Sequence, residues 1–380
     1  MLQKRHFISF INIGLCFLLS LGLSACGGGD DSSTNEPVPN YQIEYLKTLT
    51  RDEISKAFDS QQLQIPTAAL QYDVKLYRIS YTTLNNQGAD VTASGLLAVP
   101  QKAAVLASTL LSFQHATIFY NSEAPSNDLT GHAPPIVIAS LGYMTLAADY
   151  VGYGVSAGHP HPYLMLKPSA QAVHDLIKVG YDWLKKQNIT LNNKLALTGY
   201  SEGGYVTMAA HQALEQEPIT GLTLVASLPA AGPYHLSATL DFFLDSLNPF
   251  SKVDTAGARN LPDGVSEWLT KLLMGQLIPD DSDVVFDNTV IYNYIDAGVS
   301  GVEAYNVYDW KALKPVYLFH GREDETVPFL NATDALTAMT AKGSTQVTLR
   351  ECSASPSTHK GCVPEYGAFV YNTLLNLGLN

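Results

Sequence analysis

The sequence predicts an α/β protein built on one mostly parallel central sheet with helices on both faces. Three observations predict it. Short apolar, β-branched runs alternate with longer stretches of helical spacing. A hairpin signal precedes that alternation, which adds antiparallel strands at one edge. Hydrophobic residues make up 46% of the 380 residues and charged residues 15%, enough apolar material for a large core. No repeat recurs at a fixed period, which argues against a solenoid or a propeller.

The elements follow in order. Asp73–Tyr81 and Val91–Val99 read as strands, with Asn85-Asn86-Gln87-Gly88 as the turn between them. Val105–Phe113 reads as a buried strand, Ile136–Leu141 as a short helix and Tyr143–Ala148 as a strand. Ser169–Gln187 places Ala172, Val173, Leu176, Ile177, Val179, Gly180 and Trp183 on one helical face. Lys194–Thr198 is a strand, Gly204–Leu214 a helix and Leu222–Ala226 a strand. Pro315–His320, Asn331–Lys342, Gln346–Glu351 and Val363–Leu377 continue as strand, helix, strand, helix. The interval 233–313 breaks the alternation. It is apolar and aromatic-rich (Leu240, Phe243, Leu247, Phe250; Trp268, Leu269, Leu272, Leu273, Met274) and too long for a simple connection. It reads as a helical cap over the C-terminal edge of the sheet, where loops build sites in such folds. An extra core-packing subdomain is the alternative.

The formal net charge is -13 with no Lys/Arg cluster, which argues against a nucleic-acid partner. At the N-terminus, Lys4 and Arg5 precede an apolar run from Phe7 to Leu23, and Leu23-Ser24-Ala25-Cys26 follows. Residues 1–25 therefore read as an export signal, the run being short for a membrane-spanning helix. The Leu-Ser-Ala-Cys sequence resembles the bacterial lipobox, which implies cleavage before Cys26, lipidation of Cys26 and anchoring to the cell envelope. Gly27, where sorting rules place Asp for inner-membrane retention, implies the outer membrane by the same resemblance. Residues 26–40 are rich in Gly, Asp, Ser, Asn and Pro and read as a tether, with the folded domain at 41–380. Cys16 leaves with the signal. Cys352 and Cys362 remain in an exported chain, where a disulfide would persist and would bracket His359. A surface staple or two free thiols are the plainer alternatives.

The chemistry concentrates in Leu195-Ala196-Leu197-Thr198-Gly199-Tyr200-Ser201-Glu202-Gly203-Gly204-Tyr205, a strand, G-x-S-x-G and a helix. Such a turn lifts the serine Oγ above the sheet, and Gly199 and Gly203 permit close backbone approach. The helix N-terminus places the Glu202 N–H near developing negative charge. This unit resembles the nucleophile elbow of the α/β-hydrolase fold, whose chain order is Ser, acid, His. The segment His320-Gly321-Arg322-Glu323-Asp324-Glu325-Thr326-Val327-Pro328 resembles that fold's acid loop, which implies Asp324 as the acid; Glu323 and Glu325 would point elsewhere. Of ten histidines only His359 follows Asp324, so the fold order implies His359 as the base. The second oxyanion donor would come from the loop after Leu110–Phe113. Relatives often read His-Gly there and this chain reads His115-Ala116, which leaves the donor open among His115, Ala116 and Thr117, with Ala116 the first choice. Asp149 in Asp149-Tyr150-Val151-Gly152-Tyr153-Gly154-Val155-Ser156 precedes the serine and reads as a loop-fixing residue. His320 and His211 read as structural. His159 and His161 form a His-Pro-His loop without the carboxylates or cysteines a metal site needs.

Together these motifs resemble the secreted bacterial and fungal lipases and esterases of the α/β-hydrolase superfamily, near the capped secretory-lipase group, across about residues 73–380. The resemblance implies hydrolysis of a carboxylic ester or lipid through an acyl-enzyme, with no cofactor and no metal. Two rival readings fit part of the same pattern. One is a single-domain serine peptidase of the prolyl-oligopeptidase type. The other is a non-catalytic surface-binding lipoprotein, whose expected sign would be a missing member of the Ser–Asp–His set.

Overall fold

The computed structural model describes residues 40–59, 63–103, 105–247, 267, 270–271, 273–275 and 277–379. The chain divides into Met1–Glu36 and Pro37–Asn380. The signal segment, Cys26, nearly all of the tether, and Phe250, Trp268, Leu269 and Leu272 of the expected cap lie outside the described residues.

Nine strands form one sheet in the order β1-β2-β3-β5-β4-β6-β7-β8-β9. They are β1 (Tyr41–Leu49), β2 (Val74–Leu84), β3 (Asp90–Pro100), β4 (Ser108–Gln114), β5 (Met144–Ala148), β6 (Leu191–Tyr200), β7 (Thr223–Ala230), β8 (Val316–His320) and β9 (Val347–Glu351). From β5 across to β9 every pairing is parallel, while β1, β2 and β3 are antiparallel at one edge. The helices are α1 (Arg51–Ala57), α2 (Pro134–Ser140), α3 (Leu166–Lys186), α4 (Glu202–Gln216), α5 (Leu236–Leu247), α6 (Thr289–Ala297), α7 (Val299–Val302), α8 (Leu330–Ala341) and α9 (Val363–Asn376). This is the α/β-hydrolase fold.

The central strands are buried along their length, as helices on both faces require, so they read as continuous apolar runs rather than alternating ones. The sequence pattern assigns no strand to β1. Its side chains are mostly exposed or half-buried, and its order comes from pairing with β2 from Tyr41 to Leu49. β4 begins at Ser108, three residues after the expected start. Val105 is 86% and Leu106 49% exposed, and a turn in which the Leu106 N–H donates to Ala103 O holds them outside the sheet. Within 233–313, α5, α6 and α7 are helical, and Tyr234, Leu236, Leu240, Val290, Ile291, Tyr294 and Ile295 share the main core cluster with α3 and α4. Among the described residues, no helix is long and apolar enough to cross a membrane.

Leu146 sits at the middle of β5 with no exposed surface, flanked by β3 and β4. Leu146→Ala should cost about 2–5 kcal/mol of unfolding free energy, read from the shift in urea midpoint at unchanged slope.

Candidate active site

The parallel strands end at a common edge, and the site is assembled there. Ser201 follows the last residue of β6 and precedes the first of α4, with φ 59° and ψ -124°. A residue with a Cβ is rarely found at such angles, and the surroundings hold it there. The Ser201 N–H donates to Ala230 O at 2.9 Å, and Ser201 O accepts from the Gly204 N–H at 2.9 Å. Gly203 packs so tightly on β4 that an added Cβ would collide with the carbonyls of Gln114 and His115. The G-x-S-x-G glycines are thus close-approach residues.

His359 Nε2 lies 2.9 Å from Ser201 Oγ, and His359 Nδ1 lies 2.7 Å from Asp324 Oδ2. Asp324 is buried, and its Oδ1 accepts the N–H groups of Thr326 (2.9 Å) and Val327 (2.7 Å). His320 Nε2 stands 3.2 Å from the same Oδ2 and 2.9 Å from Val327 O. Burial by itself would raise the Asp324 pKa. Hydrogen bonds from His320 and His359, with the charge those rings can carry, outweigh it and hold the carboxyl well below the ordinary carboxylate range.

Sequence reasoning missed how the neighbouring acids act. Glu323 and Glu325 do not point away from the site. Glu325 Oε2 accepts the His359 N–H at 3.0 Å, and Glu323 Oε2 accepts the Ser357 N–H at 2.8 Å. The acid loop therefore grips the histidine loop through three successive carboxylates. Tyr200 donates its hydroxyl to His359 O at 2.7 Å, tying the elbow to the same loop. The sulfurs of Cys352 and Cys362 are at bonding distance on either side of it. Their spacing around His359 was legible in the sequence; the hydrogen bonds from Glu323 and Glu325 were not, because alternate residues of an irregular turn can face one loop.

His115 is buried, stacked on Tyr150 with ring centroids 4.0 Å apart, and burial pushes its pKa down. Its Nδ1 lies 2.7 Å from Ala116 O. The trans peptide then turns the Thr117 N–H the opposite way. Asp149 is buried and accepts from Ser94 and Ser126 (Oγ to Oδ2 2.5 and 2.6 Å; Ser126 N–H to Oδ1 2.8 Å), which fixes its loop. His211 is buried between Ser227 Oγ and Glu215 Oε1. Among the described residues, no cluster of three His, Cys, Asp or Glu could hold a metal.

A cavity of about 430 Å³ opens over Ser201 and His359. Ala116, Thr117 and Glu202 line it at the serine, and Phe119, Tyr163, Leu240, Phe243, Met274, Leu277, Ile278 and Phe286 make the rest largely apolar. Several of these lie within 233–313.

A serine hydrogen-bonded to a histidine that is held by a buried aspartate, at the C-terminal edge of a sheet of this topology, defines the class: an α/β hydrolase. Residues 137–353, more than half of the chain, match the family model described as serine aminopeptidase, S33, and the protein belongs to that family. The matched span contains Ser201 and Asp324 and ends before His359. Solved structures agree in fold. The rice cell wall degrading esterase LipA from Xanthomonas oryzae, in a ligand-bound form, is 24% identical with a TM-score of 0.67, over 88% of this chain and 97% of that one. A candidate hydrolase from Legionella pneumophila is 22% identical with the same TM-score and coverage. Candida antarctica lipase A in its closed state is 19% identical with a TM-score of 0.52, over 84% of this chain and 76% of that one. No curated protein sequence matches the chain.

The depressed Asp324 pKa has a thermodynamic sign. The unfolded carboxyl binds its proton at higher pH than the folded one, so the Asp324 contribution is complete above about pH 5 and lost progressively as pH falls below the ordinary carboxylate pKa. The Asp324→Asn protein should lose urea stability less steeply than wild type between about pH 5 and pH 3. Parallel slopes in the two proteins would contradict this assignment.

Proposed function

We propose that the protein hydrolyses carboxylic esters through an acyl-enzyme on Ser201. The observation that carries this reading is the unbroken contact Ser201 Oγ–His359 Nε2, His359 Nδ1–Asp324 Oδ2 at the floor of an apolar cavity. Ser201 Oγ attacks the ester carbonyl, and His359 Nε2 takes its proton. Asp324 holds the ring with Nδ1–H toward it and stabilises the imidazolium. The oxyanion is received by the Glu202 N–H at the head of α4, which has no intrahelical partner at that position, and by a second backbone N–H from Ala116 or Thr117. His359 returns the proton to the departing alcohol, and water repeats the sequence to free the acid. The chemistry needs only side chains and backbone, so no cofactor or metal enters the proposal.

The apolar walls support an acyl or aryl group, and two of the proteins similar in fold are named an esterase and a lipase. The description of the family as serine aminopeptidases supports a second reading, cleavage of an N-terminal amino acid by the same groups. The proposal extends to anchoring at the cell envelope through Cys26 and the segment before it.

Hydrolysis of p-nitrophenyl esters of increasing chain length by the soluble domain tests the reading. Turnover should fall at least about 10³-fold in Ser201→Ala and in His359→Ala, and about 10²–10⁴-fold in Asp324→Asn. Turnover of aminoacyl p-nitroanilides without ester turnover would shift the assignment to the peptidase. Full ester activity in His359→Ala would overturn the mechanism.

A further inference from the structure

His161, from the His-Pro-His loop that the mechanism above leaves unused, is where three parts of the chain meet. Its ring Nδ1 lies 3.0 Å from Val151 O. A carbonyl can only accept, so Nδ1 carries the hydrogen. Its Nε2 lies 2.7 Å from Glu202 Oε1, and both side chains are 1% exposed. Its backbone N–H donates to Val285 O at 2.7 Å, and its carbonyl accepts from the Asp287 N–H at 2.8 Å, a parallel bridge opposite Phe286. The ring is packed between Tyr153 and Phe286, with centroids 4.9 and 5.6 Å away. Gly152 makes room for it, because a Cβ there would stand 2.7 Å from the His161 Cβ.

Glu202 is the residue directly after the strained serine. Among the described residues His161 is the one hydrogen-bond partner of its side chain, since Glu202 Oε2 is buried with none. We propose that His161 is a positioning residue: by holding the far end of the Glu202 side chain against Val151 and the Val285–Asp287 segment, it fixes the direction of the Glu202 N–H at the oxyanion. This rests on the reading of Ser201 as nucleophile. A displaced donor weakens binding of the developing oxyanion more than binding of the neutral ester, so the loss falls on kcat rather than KM. The same bridge couples the Val285–Asp287 segment to the elbow, so the wall of the substrate cavity and the oxyanion donor are set by one side chain.

The test is His161→Phe, which keeps the ring volume and the backbone bridge and removes both ring hydrogen bonds. Glu202→Leu cuts the same contact from the other side without leaving a buried acid unpaired. Activity is expressed per site titrated with a fluorophosphonate, so that only folded, reactive protein is counted. Both variants should lose about 10- to 100-fold in kcat with KM within about twofold. The double variant should be no worse than Glu202→Leu alone, and His161→Gln should recover most of the loss. The fluorophosphonate labelling rate should fall in parallel. That readout needs no ester substrate, so it tests His161 even if the ester reading fails. Unchanged kcat and labelling rate per titrated site, additive losses in the double variant, or an effect on KM alone would overturn the proposal.

Discussion

Ser201 occupies backbone angles that cost a residue with a Cβ on the order of 1–3 kcal/mol, and the rest of the site is arranged around keeping it there. Relaxing them would remove Oγ from the edge of the sheet and break its contact with His359. What resists relaxation is ordinary packing. β6 and β7 run parallel beneath the turn, and the Ser201 N–H reaches across to Ala230 O. Gly203 lets α4 close onto Gln114 and His115 of the neighbouring strand and loop. The Tyr366 hydroxyl stands 2.7 Å from Leu228 O and 3.1 Å from Gly199 O, bracing the strand ends from below. Strain at one residue is thus offset by a core with no room for the relaxed turn.

The other two members of the contact depend on a different constraint. Asp324 and His359 belong to loops after β8 and β9, adjacent parallel strands, and the loops are bound edge to edge. Two backbone N–H groups orient the Asp324 carboxylate, and Glu325 and Glu323 reach the backbone of the His359 loop. Tyr200 closes the circle by donating to His359 O from the residue before Ser201. The three side chains come from distant points in the sequence, yet side chains next to Asp324 and Ser201 tie the segments together by bonding to the backbone of the His359 loop. Preorganisation of this kind lets dipoles stabilise charge without moving during reaction.

Much of this was legible in the sequence, for identifiable reasons. The elbow carries its own signature because the turn tolerates only glycine at its two close contacts. Ser201, Asp324 and His359 could be ordered along the chain before any contact was known. The buried strands announced themselves as apolar runs. β1 did not, because an edge strand stabilised by backbone pairing has half-exposed side chains and no strong pattern. The start of β4 was misplaced because Val105 and Leu106 have strand propensity but occupy an exposed turn. The carboxylates beside Asp324 were illegible because their partners are backbone groups of a loop more than thirty residues away. His161 was visible only as a histidine in a Pro-containing loop; its partner, forty-one residues on, is a contact of the folded state alone.

The central claim is that Ser201 forms a covalent acyl intermediate. Rapid acid quench of the protein during turnover of p-nitrophenyl butyrate, followed by peptide mass mapping, tests it most directly. The account predicts a butyryl group on the peptide containing Ser201, and none on the Ser201→Ala protein. Turnover with no acylated peptide under conditions that trap a burst, or a butyryl group on a different residue, would contradict it.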